Sequence, residues 1–219
     1  MTNNNLKNLL NKSNDCLDYF NINLDFAIDF IYNSLLFENN KTKKEEVEAI
    51  MLSKVTPNTK TDIAIRNHFA ALVFTLELVK NNTEIDENKI KDIHELLLFD
   101  LGIGGLYRNV DISVRGSSHI PPNYMKVYDR MKKYINTINT PDNDVYKLIA
   151  YSHLQLAKIH PFLDGNGRCS RLVLLLFSLK NNLNPFFIPY SDKDIYFSYV
   201  EEFKVNKNIE PFINYLKQL

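Results

Sequence analysis

Apolar residues recur at helical spacing from Leu24 onward. Leu24, Ala27, Ile28, Ile31 and Leu35 share one face, and Asn23 is placed to cap its start. This pattern stops near Glu38, where Asn39 and Asn40 come next. The same spacing predicts helices over 44–55, over 61–81 and over 86–101. In the second of these, Ile65, Phe69, Leu72, Val73, Leu76 and Val79 form the apolar face. Ahead of them all, 3–14 is polar and reads as loosely ordered at its start.

The period changes at Gly102. Gly102, Gly104 and Gly105 end a helix and permit unusual backbone angles. Val110, Ile112 and Val114 then alternate with polar residues, 115–118 supplies a turn, and Pro121 and Pro122 close the segment. Alternation around a turn predicts a short β-hairpin. Helical spacing returns over 123–136. Thr140 and Pro141 read as a cap and first turn, and Val145, Leu148, Ile149, Ser152, Leu156 and Ile159 share the face of the helix they begin. That helix ends at His160, before Pro161. Another begins near Asn166, and its stretch 172–177 is apolar on every side, as befits a helix through the centre of a domain. Asn184 and Pro185 stop it, and 196–203 and 210–219 read as closing helices. The sum is an all-α bundle with one short hairpin, a single domain over 1–219.

Composition narrows the function classes. The 219 residues carry 26 basic and 26 acidic side chains. That balance argues against a nucleic-acid partner recognised through a net basic field. Cys16 and Cys169 stand far apart with no metal-ligand spacing around either, so neither a disulfide framework nor a zinc site is expected. Cysteine usage fits a reducing cytoplasm. Residues 1–14 lack the basic start and apolar run of a signal peptide, and 172–177 is too short to span a bilayer. A soluble, cytoplasmic protein with no membrane partner is the expectation.

The chemistry concentrates in 160–171. Gly165 and Gly167 flank Asn166 immediately before the apolar helix. Glycines let backbone amides turn inward, and a helix N-terminus offers unpaired N–H groups, so together they form a phosphate cradle. Arg168 and Arg171, three positions apart, share a helix face from which both can reach polyphosphate oxygens. Asp164 is a hard oxygen ligand beside the cradle, as a phosphate-bound magnesium ion requires. His160 can take a proton from an attacking hydroxyl near neutral pH. Taken singly, each of these has an ordinary structural reading as a turn, a helix end or a solvated face; their conjunction in one loop does not.

Residues 160–171 resemble the Fic signature, His-Pro-Phe-x-Asp/Glu-Gly-Asn-Gly-Arg-x-x-Arg, at every fixed position, and the similarity runs from about Asp29 to the C-terminus. The resemblance implies a Fic-type helical bundle with a β-hairpin flap. It implies an adenylyltransferase that moves AMP from ATP to a protein hydroxyl. His160 would be the general base, Phe162 a buried anchor of the loop, and Asp164 the magnesium ligand. Gly165, Asn166 and Gly167 would cradle phosphates held further by Arg168 and Arg171. Gly167 stands where kinase-type relatives carry Lys, which implies AMP transfer rather than phosphoryl transfer. Cys169 falls at a variable position and reads as a packing residue.

Two further segments resemble the family. Gly105, Tyr107 and Arg108, then 109–119 and Pro121-Pro122, match its flap region. An open hairpin edge accepts an extended segment by strand pairing, so a target protein would dock on 109–119, and the chain's own tail is open to self-modification. Gly116, Ser117, Ser118 and His119 would lie along the nucleotide. Ser34, Glu38 and Asn39 match the inhibitory Ser/Thr-x-x-x-Glu-Gly/Asn pattern of the class with an N-terminal inhibitory helix. Glu45 to Ile50 resembles the stretch that comes after this pattern in that class. Glu38 would pair with Arg171 and hold activity low. Tyr196, before Phe197, is a candidate for the base pocket and equally a core aromatic. His68, His94 and His153 show no ligand spacing and read as structural. De-AMPylation at the same site, and nucleotide binding without turnover, stay open, as do the target and the oligomeric state.

Overall fold

A computed structural model describes the chain apart from Met1, Asn39, Asn40, Pro141 and Asp142. Eleven α-helices run in order among the described residues. They are α1 (Asn3–Leu10), α2 (Ser13–Tyr19), α3 (Leu24–Leu36), α4 (Lys44–Met51), α5 (Lys60–Lys80), α6 (Glu87–Leu98), α7 (Val127–Ile138), α8 (Val145–Ile159), α9 (Asn166–Lys180), α10 (Lys193–Asn206) and α11 (Glu210–Leu216). Single 3-10 turns precede α7 and α10.

The bundle is organised around α9. Its apolar run Leu172 to Phe177 is buried throughout, and α3, α5, α6 and α8 pack against it. Helices α1 and α2 lie on α5, α7 on α6 and α8, and α10 and α11 on α8. A helix with no polar stripe can only be satisfied at the centre, so this sequence places α9 where its N-terminus is surrounded by other elements. Helix starts are chemically defined. Asn23 accepts the Phe26 N–H at 2.7 Å at the head of α3, and Thr59 and Asp62 form a reciprocal capping box on α5.

Three expectations change. The segment 3–14 is helical, not loose: Thr2 caps α1, and Leu6 and Leu9 bury against α5. Helix α8 is capped by Asp144, whose carboxylate accepts the Lys147 N–H at 3.1 Å. Thr140 instead donates its hydroxyl to the Asn136 carbonyl, and Pro141 lies outside the described residues. The β-hairpin flap is not formed: among the described residues there are no strands. In the first arm Val110 O accepts from the Arg108 side chain at 2.9 Å, and the Asp111 carboxylate ties the arm to the start of the next element by accepting from Asn123 Nδ2–H and the Tyr124 N–H. The second arm carries Pro121 and Pro122, which have no N–H to give to a ladder. What remains is a turn, closed by Ser117 N–H to Val114 O at 3.1 Å, with Gly116 at φ 78°.

Candidate active site

The loop between α8 and α9 is held from within. His160 ends α8 in the left-handed region, φ 51°, and its amide still donates to Leu156 O at 3.0 Å. Phe162, fully buried, stacks on the His94 ring at 3.6 Å between centroids. Asn166 closes the loop with its side chain, accepting the Phe162 N–H and donating to the Phe162 carbonyl, both at 2.9 Å. His94 completes the brace. Its Nδ1 accepts the Gly105 N–H at 3.0 Å, so its Nε2–H donates to Asp164 O at 2.8 Å.

The ring of His160 is poised as a base. Its Nδ1–H donates to the Ala157 carbonyl at 3.3 Å, which leaves Nε2 as the acceptor. Burial, reinforced by nearby Lys204 and Arg108, brings its pKa down to about 4 against the Ala157 hydrogen bond. The imidazole is therefore neutral at physiological pH.

Gly165 caps α9 with φ 70° and no side chain, so the first-turn amides stay open to an anion. A Cβ at Gly165 would meet Leu98 Cδ2 at 2.7 Å, which shows how closely α6 approaches the cradle. Arg168 and Arg171 rise from the first turns of α9, each 5% exposed. The Asp164 carboxylate points outward, 75% exposed, with Oδ1 accepting the Gly165 N–H at 2.7 Å and Oδ2 3.8 Å from Arg168 Nη2. Among the described residues no cluster of three or more metal-ligating side chains occurs. A lone exposed carboxylate suits magnesium, which binds through one or two carboxylates together with substrate phosphates.

Both arginines are already engaged by the end of α3. Arg171 donates Nε–H to Ser34 Oγ at 2.8 Å and Nη2–H to Ser34 O at 2.7 Å, and its guanidinium lies 4.9 Å over the Phe37 ring. Glu38 lies closer to Arg168, Oε2 to Nε 2.6 Å, than to Arg171, Oε1 to Nη2 3.7 Å. The Arg168 Nε–H is not aimed as a hydrogen bond, so this is an ion pair. The expected partnership of Glu38 with Arg171 is thus shared. Because α3 stops at Leu36, Glu38 has left the helix face it would share with Ser34, and it drops between the two guanidiniums. Gly167 leaves room for it: a Cβ there would sit 3.2 Å from Arg171 Nη1 and 3.3 Å from Glu38 Oε1. Asn39 lies outside the described residues.

Beside this contact opens a cavity of about 760 Å³, bounded by Phe37, Glu38, the turn Val114 to Ser117, and Lys193, Phe197, Val200, Glu201 and Lys204 of α10. Gly116 and Ser117 therefore reach it. Ser118 instead binds Glu201 through both its amide and its hydroxyl. His119 turns away, its Nε2–H donating to Lys158 O at 3.2 Å. Tyr196 is buried behind the cavity wall, packed on Phe37 and hydrogen-bonded through its hydroxyl to His153 Nε2 at 3.0 Å; Phe197 lines the cavity in its place.

The sequence marks Arg108 only as part of the flap match and His94 only as a structural histidine, and gives no sign of Glu201. Arg108, 3% exposed, donates Nε–H to His160 O at 2.9 Å, and its Nη2–H to Pro122 O, while its amide donates to Pro161 O at 2.9 Å. It ties the flap to the loop, and its place in the Gly-x-Tyr-Arg segment was the available signal. His94 braces the loop although nothing in its own helix marks it. Glu201 is the third. Its burial alone would raise its pKa, but hydrogen bonds from Ser117 and Ser118, with nearby Lys204, outweigh that and bring it down to about 2. Cys16 and Cys169 are free and buried, and burial pushes the Cys169 thiol up to about 12, as suits a packing residue.

Comparison with known proteins agrees on this region. Residues 84–178 match the model of the Fic/DOC family. The chain is 27% identical over 204 residues to a protein adenylyltransferase Fic of Drosophila persimilis, covering 85% of this chain and 38% of the relative. It is 29% identical over 197 residues to one of Nematostella vectensis, covering 85% and 45%. The chain thus spans less than half the length of these curated relatives. A Fic domain containing signaling protein from Bacteroides thetaiotaomicron superposes with a TM-score of 0.82 at 20% identity, over 98% of this chain and 91% of that one. Fic-1 from C. elegans, residues 134–508, superposes at 0.71 and 22% identity, over 97% and 68%. These structural likenesses concern the fold. No helix among the described residues is long and apolar enough to cross a membrane.

Proposed function

We infer that this chain, which belongs to the Fic/DOC family, is a protein adenylyltransferase that moves AMP from ATP to a hydroxyl of a target protein and is held inactive by its own α3. One observation carries the reading: a neutral histidine base and two buried arginines meet at an open helix N-terminus, and the Glu38 carboxylate, just beyond α3, occupies the arginines.

The balance is simple. The target hydroxyl oxygen attacks the α-phosphorus, and its proton passes to His160 Nε2. The bond from the α-phosphorus to the bridging oxygen breaks, and pyrophosphate leaves. Positioning and charge neutralisation supply the acceleration. The α9 amides at Asn166 and Gly167, with Arg168 and Arg171, hold the phosphates, and Gly165, whose own amide is taken by Asp164 Oδ1, lets them come close because it has no side chain. Asn166 contributes through its backbone, since its side chain is spent on Phe162. Asp164 would hold magnesium, which offsets phosphate charge. Gly116 and Ser117 form the opposite wall, with Ser118, His119 and Tyr196 behind it, and the target lies along 109–119. The cytoplasmic location and self-modification belong to the same reading.

Inhibition arises from charge occupancy. Arg168 and Arg171 cannot bind terminal phosphates while Glu38 and Ser34 hold them. The deciding experiment supplies magnesium and ATP labelled on the α-phosphate to the native chain, to Glu38→Gly, and to Glu38→Gly with His160→Ala. Label on protein in the second alone is the expected result. Equal labelling of the first two would end the inhibitory part. ATP binding without label in any would leave a nucleotide-binding module. Because Glu38 lines the cavity, a second reading is hydrolysis of an AMP–protein bond at the same site, detected as AMP release that Glu38→Gly abolishes.

A further inference from the structure

Glu201 belongs neither to the loop 160–171 nor to the matched stretch 84–178. Yet its carboxylate gathers three donors from the tip of the flap. Ser117 Oγ–H reaches Oε2 at 2.6 Å, while the Ser118 amide at 2.7 Å and Ser118 Oγ–H at 2.6 Å reach Oε1. Ser117 Oγ in turn accepts the His119 N–H at 3.2 Å. Hydrogen bonds to an ionised acceptor are the short, strong class. No ladder supports this turn among the described residues, and a Cβ at Gly116 would meet nothing within 4 Å. The turn's own hydrogen bond is the single Ser117 N–H to Val114 O contact at 3.1 Å, and a short turn without strands gains little stability from such a contact.

We propose that Glu201 is a positioning residue that latches the flap turn 114–118 onto α10, and so sets the Gly116–Ser117 wall of the cavity before nucleotide arrives. The latch replaces the missing hairpin: a side chain 84 positions away in sequence does what a strand ladder would have done. Without it, the turn must be ordered when nucleotide binds, and affinity falls accordingly. The nucleotide consequence rests on the adenylyltransferase reading. The latch is a contact within the chain and can be measured without nucleotide.

Two variants separate geometry from charge. Glu201→Ala and Glu201→Gln both remove one negative charge from the cavity, but Gln keeps a polar end that can still meet the serines. In Glu201→Ala, amide exchange at Ser118 should rise about tenfold, with α8 and α9 unchanged. Adding Ser117→Ala and Ser118→Ala to it should raise exchange no further, because the contact is already gone. Unchanged exchange at 115–119 in Glu201→Ala, or increments that add, overturns the latch. On the Glu38→Gly background, a non-cleavable ATP analogue with magnesium should bind Glu201→Ala about tenfold more weakly than Glu201→Gln. Equal affinities, with exchange raised in Ala alone, overturn the role in nucleotide positioning. If Glu38→Gly itself binds no analogue while exchange behaves as expected, the latch stands and the adenylyltransferase reading fails.

Discussion

Loop 160–165 and flap 102–122 meet at Arg108, whose backbone and side chain bind Pro161 and His160 on one side and Val110 and Pro122 on the other. The loop side is built into the core. Phe162 is sealed against His94, Asn166 fastens the chain to itself, and α9 runs on into the most buried helix of the bundle. The flap side has no core of its own. Ile103, Leu106 and Ile120 are each more than three-fifths exposed, and the segment is fixed near its base by Arg108 and at its tip by Glu201. In the proposed reaction the groups that need close placement belong to the first, and the surface offered to a protein target belongs to the second.

The largest effect is expected at His160. On the Glu38→Gly background, His160→Ala should lower label transfer by about a thousandfold while analogue binding persists. Since His160 titrates near 4, the acid limb of kcat/KM should lie nearer pH 4 than 6.5. An acid limb at 6.5 would show a solvated ring and undo the buried-base description.

Acid should also unfold the loop side. Burial holds His94, His153 and His160 down at about 4, and lowers His68 well below its ordinary value. Between pH 4 and 6.5 the unfolded chain therefore binds protons that the native state refuses. Stability should be level above pH 7 and fall as pH drops from 6.5 toward 4. Urea midpoints measured across that range check this; a flat profile would contradict the burial of these rings.

Arg108→Ala removes the joint itself, a buried guanidinium with three part-buried carbonyl partners, with an expected loss of about 3 kcal/mol in urea unfolding. Arg108→Lys should recover little, because one ammonium cannot reach three separate carbonyls as the fork does. The glycines sharpen the contrast further. Gly165→Ala meets both left-handed strain and the Leu98 contact, so about 2 kcal/mol is expected. Gly116→Ala shares the strain, at φ 78°, but enters open space, and should cost only about 1 kcal/mol. Equal losses at the two sites would mean the flap turn is packed as tightly as the loop.

The alternation of Val110, Ile112 and Val114 illustrates where reading the chain failed. Periodicity reports which faces residues would occupy in a strand, but a ladder also needs a partner with N–H groups, and Pro121 and Pro122 withhold them. The polar start of the chain misled in the opposite sense, since two leucines one helical turn apart were enough to dock α1 on α5. Reading succeeded on α9, where an apolar run without a polar face has one place to go.

The sequence by itself determined the chemistry of 160–171: which groups are present, in what order, and that they open a central helix. Those relations are local, set by turns of glycine and by the 3.6-residue period, and they survive without knowledge of the rest of the fold. Only the tertiary structure decided that Glu38 leans on Arg168 as well as Arg171, that Arg108 joins flap to loop, and that Glu201 holds the flap tip. Each of these joins residues dozens of positions apart, and their meeting depends on the angles at which α3, α9 and α10 pack, which no local pattern encodes.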